Sequence, residues 1–507
     1  MSQTTKTAIS DLSPPQSSKP PARRPIDVLI LTLLMVFSAV LCFLFLAKKP
    51  FWFDEAFSVE LARFNWHNFA GLVWKREGNM ALYYLLLRAW APFGHRPFFF
   101  RSLSVLPAVA TVPVVYWLGH RLYDRRVGLI AATLLTFNAW HIRYAQEARS
   151  YSLFIFLASL SSAFLIAYLT QPSAWTCGGH VLASSLAVYA HFYAALLVIA
   201  QWLSLRFLRR DQVPWDSSRN WRWIALLSSP AMIFIVKTGS SPLHWIQRPG
   251  IKDLYQFAEN ITGNGGLLLV LAYGFACIAA LMPAPSAQGR VSRNSWRVRF
   301  LLCWLLFPIL FTLAVSIVRP LFLGRYFVFC LPALVQLAAA GLARLNRSWL
   351  LVPALAVFLG LSLKGTISYY HHDFDLTRDQ WSGVSSYVLE HSRPGDALIF
   401  HVAIGRMPYQ FFTSLAPDSA TMPIIVFPGK GDSLEFHELL ARPSAEFLQT
   451  IPLHYERVWV ILMNNGTPSS PDATTRMLNE IFSGGYPAPE RQDFFPAIEV
   501  RLYSRNH

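Results

Sequence analysis

The sequence has 507 residues, of which 54% are hydrophobic and only 14% are charged. Soluble domains carry about 25% charged residues, so this composition excludes an ordinary soluble protein. A net charge of +16 in a soluble protein would suggest a nucleic-acid partner. Here much of the positive charge lies in short loops between long apolar runs, as the positive-inside rule predicts for a membrane protein. We therefore expect no nucleic acid among its partners.

Residues 1–25 are rich in Ser, Thr, Pro and Gln and contain no long apolar run. This composition predicts a disordered tail, because too little apolar surface is present to form a core. Lys19, Arg23 and Arg24 precede the first apolar run. Positive charge beside a first span predicts that the tail is cytoplasmic.

Repeated apolar runs approach the length of about 20 residues that crosses a bilayer. Together with loop charge they predict a polytopic α-helical membrane protein with about eleven transmembrane helices. The first span is Ile26–Ala47 and the last is Leu350–Leu363. The spans between them are Leu103–Gly119, Gly128–Trp140, Tyr151–Thr170, two short spans within 178–208, Trp223–Lys237, Gly266–Met282, Leu301–Val318 and Phe327–Ala343.

The first outer loop covers residues 48–101 and contains the short apolar run Met80–Pro92. This run is too short for a comfortable crossing and is interrupted by Arg88, so we expect an interfacial or re-entrant helix. The alternative, in which the run crosses the membrane, would invert every later loop and place the basic clusters outside. The eleven-span topology satisfies the positive-inside rule better.

The long apolar runs end at about residue 364, where we place the end of the transmembrane domain 26–364. Trp381–Glu390 has the pattern of an amphipathic helix, and Asp396–His401 and Arg457–Met463 have the pattern of short buried strands. Alternating helix and strand predicts a small α/β domain. Because an odd number of spans places the C-terminus outside, residues 365–507 are predicted to be an extracytoplasmic soluble domain.

The sequence gives no indication of a bound cofactor or metal. The five cysteines form no Cys-x-x-Cys pair, so neither a disulfide framework nor a thiolate metal site is predicted. Neither a P-loop nor a dinucleotide fingerprint is present. Asp373-Phe-Asp375 has the spacing of a metal–diphosphate motif, but it lies at the start of the outer domain, where nucleotide sugars are not the expected donors.

Asp54 and Glu55 follow the first span almost immediately and are flanked by Phe51, Trp52 and Phe57. Ionisable groups at membrane depth are costly and are usually functional. On position alone, a solvated pair just beyond a helix end, with the aromatic residues forming an interfacial belt, explains the motif equally well.

A second polar group, Tyr144–Tyr151, lies at a later outer turn and contains Gln146, Glu147 and Arg149, with Arg143 just before it. Several charged and amide side chains between two spans are typical of a functional site. The alternative is a helix-end cap, in which Glu147 forms an ion pair with Arg143 four residues earlier.

Further candidates lie at other turns, and one topology places all of them on the outer side. A cluster of arginines with histidine and tyrosines there suits a phosphate-bearing lipid, because Arg makes bidentate phosphate contacts without a metal. The candidates for substrate or phosphate binding are Tyr83, Tyr84, Arg88, Arg143, Gln146, Glu147, Arg149, His191, Tyr193, His244, Arg325 and Tyr326.

The order of these motifs resembles the GT-C superfamily, and more closely its protein mannosyltransferase/ArnT-like branch, which includes lipid A aminoarabinose transferases. The resemblance covers about residues 26–410. It rests on the following motifs, in this order: Asp54-Glu55, Tyr83-Tyr84, Arg101-Ser-Leu-Ser104, Leu118–Gly128, Tyr144–Tyr151, Ala190-His-Phe-Tyr193, Gly324-Arg-Tyr326, and Arg378-Asp-Gln-Trp381 followed by Arg393-Pro-Gly-Asp396. The branch often has a Pro-Pro pair before the Tyr-Tyr helix, whereas this sequence has Gly78-Asn79-Met80-Ala81.

The resemblance implies a membrane glycosyltransferase that uses polyprenyl-phosphate sugars as donors, with Asp54 matching the catalytic acidic residue. We expect an acceptor hydroxyl to attack the sugar C1, with Asp54 as base and Glu55 helping to orient the acceptor. Cations stabilise the leaving lipid phosphate. This account requires Asp54 to share a pocket with the arginines of distant outer turns. The candidate cations are Arg88, Arg149, His244 and Arg325.

Two other functions are compatible with a multi-pass chain. A lipid or glycan transporter or flippase would show inverted repeats or broken helices with charges near the midplane, and the sequence has no internal repeat. A non-catalytic anchor for the C-terminal domain leaves the polar outer turns unexplained. The expected partners are therefore a polyprenyl-phosphate-linked sugar, membrane lipids and a lipid, glycan or protein acceptor, in a bacterial inner membrane.

Overall fold

The computed structural model describes residues 25–208, 217–239, 246–282, 296–372, 380–417, 421–429, 439–463, 466–467, 470–494 and 498–505. Apart from Pro25, the predicted disordered tail 1–25 lies outside the described residues. His244 and Asp373-Phe-Asp375 lie outside them as well.

Most of the described residues are helical. In chain order the helices are α1 (Pro25–Phe43), α2 (Phe53–Arg63), α3 (Trp66–Lys75), α4 (Ala81–Trp90), α5 (Pro97–Leu122), α6 (Arg125–Thr136), α7 (Ala139–Ala145), α8 (Tyr151–Thr170), α9 (Ala174–Ala190), α10 (Ala194–Leu205), α11 (Ser217–Thr238), α12 (Ile251–Thr262), α13 (Leu267–Leu281), α14 (Trp296–Ser316), α15 (Leu331–Leu342), α16 (Ser348–His372), α17 (Trp381–His391), α18 (Arg406–Thr413), α19 (Ala445–His454) and α20 (Ala473–Ser483).

The chain divides into two compact units. The first unit comprises Met1–Leu46, Gly78–Tyr83 and Arg101–His371. The second comprises Ala47–Glu77, Tyr84–Phe100 and His372–His507. The predicted domain boundary between residues 364 and 365 stays a prediction.

Within the part of the chain that the structure describes, six helical segments are long and apolar enough to cross a membrane: α1, α5, α8, α14, α16, and the 3₁₀ segment Gly324–Cys330 continued by α15. Helices α12 and α13 would make a seventh span if counted together, although they are bent by 73°. Gly263 and Gly266 have φ angles of +108° and +85° at this bend, a backbone region that glycine adopts readily. The chain is thus a multi-pass helical membrane protein.

Eleven spans are not confirmed. The predicted span Gly128–Trp140 is interrupted, because α6 ends at Thr136 and α7 starts at Ala139. The Asn138 side chain accepts hydrogen bonds from the Trp140 and His141 N–H groups, at 3.0 and 3.1 Å, and so caps the start of a new helix. With 12 residues, α6 is shorter than the ~20 residues of a typical span.

Helix α15 forms the core of the first unit, since every one of its residues is buried. Its Gly341 lies against the backbone of α13, and a Cβ there would meet the Ala276 carbonyl oxygen. The missing side chain therefore permits close packing of two apolar helices.

The second unit contains a five-stranded sheet in the order β2-β1-β3-β7-β6. Strand β1 is parallel to β2 and β3, while β7 is antiparallel to β3 and β6. The predicted helix at Trp381 and both predicted strands are confirmed. The strands are β1 (Ala397–Phe400), β2 (Ile424–Phe427), β3 (Arg457–Met463), β4 (Gly466–Thr467), β5 (Ser470–Pro471), β6 (Glu490–Phe494) and β7 (Ile498–Ser504), of which β4 and β5 form a separate pair.

Residues that follow α1 pack on this sheet-containing part of the second unit. The Phe51 ring stacks on Phe411 of α18, with centroids 4.6 Å apart. The Phe53 ring lies 6.2 Å from Trp381 of α17. Aromatic pairs at these distances stabilise the contact beyond the area they bury, so the start of α2 is held against α17 and α18.

A polar group lies at the carboxyl end of β1. His401 is fully buried, and its Nε2 lies 3.0 Å from both carboxylate oxygens of Asp472. Arg442 also donates to Asp472. Asp472 caps α20 by accepting the Thr475 N–H at 2.8 Å, so this group links a strand end, a loop and a helix start.

Candidate functional site

The two carboxylates predicted to be catalytic open helix α2, where they have different environments. Glu55 is fully buried, and its carboxylate accepts the Trp52 backbone N–H at 3.4 Å, as in a capping box. Asp54 is half-buried in the same first turn. Both acidic side chains thus lie in the first turn of α2, where they complement the unpaired N–H groups at the helix start.

Arg88 holds the end of the same helix. Its Nη1 donates to the carbonyl oxygens of Ala62 and Phe64, at 3.0 and 2.5 Å. The guanidinium carbon also lies 5.4 Å from the Trp66 ring and 5.1 Å from the Phe69 ring. These contacts cap α2 and join it to α3. The structure therefore gives Arg88 a structural role, and its predicted phosphate contact stays a prediction.

Gln146 is a buried connector in the first unit. Its Nε2 donates to the carbonyl oxygens of Cys42, in the last turn of α1, and of Leu44, just beyond it, at 3.0 and 2.8 Å. Its Oε1 accepts from the Tyr369 hydroxyl of α16 at 2.7 Å. Unpaired carbonyls at a helix end need such partners, so Gln146 fastens α1 to α16.

The ion pair predicted between Arg143 and Glu147 is present, with Arg143 Nε 3.6 Å from Glu147 Oε1. It joins the last turn of α7 to the loop before α8. This ion pair is the one expected from the helix-end alternative, and the substrate contacts predicted for Arg143 and Glu147 stay predictions.

An aromatic group forms where the α9–α10 turn meets the 3₁₀ segment Gly324–Cys330. His191 is fully buried and stacks on Phe154 of α8, with centroids 5.0 Å apart and planes 5° apart. The His191 centroid lies 4.8 Å from that of Tyr326 and 5.5 Å from that of Tyr193. The Tyr193 hydroxyl donates to the Leu321 carbonyl at 2.6 Å, which fixes the ring.

Two arginines from distant parts of the sequence act on this aromatic group. Arg149, from the α7–α8 turn, and Arg325, from the 3₁₀ segment, both lie within electrostatic range of His191. Both side chains are half-buried. We refer to Arg149, His191, Tyr193, Arg325 and Tyr326 as the cation–tyrosine cluster. Three of the turns that the sequence analysis singled out thus meet within the first unit.

The other two predicted tyrosines lie on α4. The Tyr83 hydroxyl is 2.8 Å from Ser104 Oγ, which in turn donates to the Arg149 carbonyl oxygen at 3.2 Å. Because Ser104 donates its one proton to that carbonyl, Tyr83 is the donor to Ser104. This chain fixes the backbone of the α7–α8 turn. In the second unit, the Tyr84 hydroxyl donates to Glu77 at 3.4 Å.

Asn79 and Ser104 were not among the predicted site residues. Ser104 belongs to the Arg101-Ser-Leu-Ser104 motif of the resemblance, but that motif did not indicate its contacts. Asn79 belongs to the segment Gly78-Asn79-Met80-Ala81, which replaces the Pro-Pro pair. This difference from the family drew attention to the segment but did not indicate the contacts of Asn79.

Among the described residues, no group of three or more His, Cys, Asp and Glu side chains could hold a metal ion. The expectation of a metal-independent site stays a prediction. Asp54, Glu55, Tyr84 and Arg88 belong to the second unit, whereas the cation–tyrosine cluster belongs to the first. The shared pocket expected from the sequence also stays a prediction.

No protein-family model matches the chain, and no curated protein matches it significantly. Solved structures do match. ArnT from Cupriavidus metallidurans in the apo state has a TM-score of 0.62 at 13% identity, over 93% of this chain and 97% of that one. The same protein bound to undecaprenyl phosphate has a TM-score of 0.61 at 13% identity, over 95% and 98%.

The Archaeoglobus fulgidus oligosaccharyltransferase, in a complex with Zn and sulfate, matches with a TM-score of 0.54 at 12% identity, over 85% of this chain and 67% of that one. Identities this low show a common fold only, because one fold hosts many functions. Coverage of nearly the whole length of ArnT shows that the likeness includes the membrane helices and the C-terminal part. The chain therefore has the ArnT-like GT-C fold.

Proposed function

We propose that this chain is a glycosyltransferase that moves a sugar from a polyprenyl-phosphate carrier to an acceptor hydroxyl. The observation that carries the proposal is the cation–tyrosine cluster, which gathers Arg149, Arg325 and His191 from three separate turns. The fold supports the same function, since an ArnT of this fold has been solved with undecaprenyl phosphate bound.

Arg149 and Arg325 are proposed to bind the phosphate of the carrier. A guanidinium offers paired N–H donors that match phosphate oxygens, and it keeps its charge when half-buried. Tyr193 and Tyr326 flank these cations with amphipathic rings, which suits the junction of a polar headgroup and an apolar chain. As the bond to the sugar breaks, charge develops on the phosphate, so cations held there lower the barrier.

Asp54 is proposed as the general base. The acceptor oxygen attacks C1 of the sugar and transfers its proton to the Asp54 carboxylate. The bond between C1 and the phosphate oxygen breaks, and its electron pair leaves with the lipid phosphate. A single direct displacement inverts the configuration at C1. Glu55 is proposed to support this role by capping α2, the helix that carries Asp54.

One observation favours the transport alternative. The bent pair α12 and α13 is the kind of broken helix that transporters use. The charged side chains Lys252 and Asp253 in the first turn of α12 are exposed, whereas transporters place binding charges inside the bundle. Transfer therefore remains the better-supported function. The proposed setting is a bacterial inner membrane, with the N-terminus cytoplasmic and the C-terminal part extracytoplasmic.

The experiment is binding of undecaprenyl phosphate to the purified full chain in nanodiscs. Replacing Arg149 or Arg325 by Gln removes a charge-assisted contact, which lowers affinity by roughly tenfold to a hundredfold. Arg121→Gln is the matched control, because Arg121 is a half-buried arginine of the first unit that stacks on Trp117 at 5.2 Å. Equal affinity in all four proteins would refute the phosphate site.

A further inference from the structure

The segment Gly78–Tyr83 belongs to the first unit although the residues on both sides of it belong to the second. Gly78 lies against the ring of Phe234 in α11, and a Cβ there would meet three ring carbons at 3.1 Å. The absence of a side chain at Gly78 thus allows the segment to pack closely on α11. This packing presents the side chain of the next residue, Asn79, to the α9–α10 turn.

The orientation of the Asn79 amide is fixed by a backbone group. The Phe192 N–H can only donate, and it lies 3.0 Å from Asn79 Oδ1. The oxygen of the amide must therefore face Phe192, which leaves Nδ2, with its two N–H groups, facing His191 Nε2 at 3.5 Å.

The protonation of His191 follows from the same geometry. The Tyr193 backbone N–H donates to Nδ1 at 3.2 Å, so Nδ1 is an acceptor and the ring proton lies on Nε2. The Nε2–H of His191 and the Nδ2–H₂ of Asn79 are then two donors that face each other at 3.5 Å. Among the described residues, the structure gives neither of these donors an acceptor.

His191 is fully buried, so its Nε2–H needs an acceptor, because an unmade hydrogen bond in a buried site is costly. Asn79 is half-buried, and Arg149 and Arg325 both act electrostatically on His191. Two neutral donors beside two cations favour an anionic oxygen over a neutral one.

We propose that Asn79 Nδ2 and His191 Nε2 together bind one oxygen of a phosphate monoester, the headgroup of the lipid carrier. This inference rests on the proposed function and assigns to its site a residue that the sequence analysis did not select. In this arrangement Asn79 has two roles: Oδ1 holds the α9–α10 turn, and Nδ2 contacts the ligand.

The two roles are separated by comparing Asn79→Asp with Asn79→Ala. Aspartate keeps an oxygen for the Phe192 N–H, so it retains the contact that holds the turn. It replaces the ligand-facing donor by a negative charge, which repels phosphate. If Asn79 only supports the turn, Asp is nearly as good as Asn and better than Ala. If Asn79 binds phosphate, Asp is worse than Ala.

The measurement is the dissociation constant of undecaprenyl phosphate for the full chain in nanodiscs. We expect a loss of about tenfold for Asn79→Ala and of about a hundredfold for Asn79→Asp. Asn346→Asp, which changes an exposed asparagine of the first unit, is the matched control and keeps the wild-type affinity. Inorganic phosphate, the other source of the same chemistry, is expected to compete only at millimolar concentration.

Wild-type affinity in Asn79→Asp would overturn the proposal for Asn79 while leaving the phosphate site intact. So would tight binding of inorganic phosphate that equals that of the lipid, since the lipid headgroup is the proposed ligand. Failure of the wild-type chain to bind undecaprenyl phosphate would instead overturn the proposed function itself. The two failures are therefore distinguishable.

Discussion

Replacing Gln146 by Leu is expected to destabilise the first unit by about 2–3 kcal/mol. The substitution removes donors from the Cys42 and Leu44 carbonyls and an acceptor from the Tyr369 hydroxyl, all within 3.0 Å of the amide. Each lost bond costs about 1 kcal/mol in soluble proteins and about 0.6 kcal/mol on average inside membranes. Three bonds therefore give the stated range.

The assay is the thermal unfolding midpoint of the full chain in nanodiscs, with undecaprenyl phosphate affinity measured in parallel. Tyr369→Phe removes the hydroxyl that donates to Gln146 Oε1, and the loss of this bond costs about 1 kcal/mol or less. The double variant costs less than the sum of the two, because both remove the same bond. An unchanged midpoint with reduced lipid affinity would refute this reasoning and support the sequence-based prediction that Gln146 binds substrate.

Other predictions concern the second unit. Arg88→Ala removes the donor to two carbonyls at the end of α2, and hydrogen exchange of residues 62–69 should accelerate by tenfold or more for a loss of about 2 kcal/mol. Burial lowers the pKa of His401, although Asp472 opposes the shift. The unfolded chain therefore binds more protons than the folded chain, so the hydrogen-exchange protection of β1 should decrease as the pH drops below ~6.5. A His401→Gln chain with the same pH dependence would contradict this prediction. Burial alone would raise the pKa of Asp472, but hydrogen bonds from Thr475 and Arg442 hold it well below its usual range. Its stabilising contribution is therefore lost as pH falls below ~4, and an Asp472→Asn chain as stable as wild type at pH 7 would disprove it.

Local sequence patterns predicted those helices and strands that are determined by their own residues and not by pairing with distant segments. The strand Arg457–Met463 was located with its observed bounds, because five consecutive buried apolar residues are typical of a strand covered on both faces. The edge strand Glu490–Phe494 was missed, since its residues are polar and mostly exposed and its place in the sheet depends on pairing with β7.

The candidate site was predictable in outline only. Charge at turns identified Arg149 and Arg325, and topology suggested that such turns meet. The different environments of Asp54 and Glu55 depend on where helix α2 begins, which their adjacency in the sequence does not reveal. Gln146 was predicted to bind substrate because it belongs to the polar turn Tyr144–Tyr151. Its hydrogen bond to Tyr369 was not predicted, because the two residues are 223 positions apart and sequence patterns indicate no contact over that distance.

The most direct test of the central claim is release of undecaprenyl phosphate from a panel of undecaprenyl-phosphate sugars by the full chain, with Asp54→Asn beside it. We expect the wild-type chain to release the lipid phosphate from at least one donor when an envelope-glycan acceptor extract is added. The Asp54→Asn chain is expected to release it at least a hundredfold more slowly, since general bases contribute about 10²–10⁴ in rate. Intact donors throughout, donors moved across the bilayer without cleavage, or equal rates in both proteins would contradict the account.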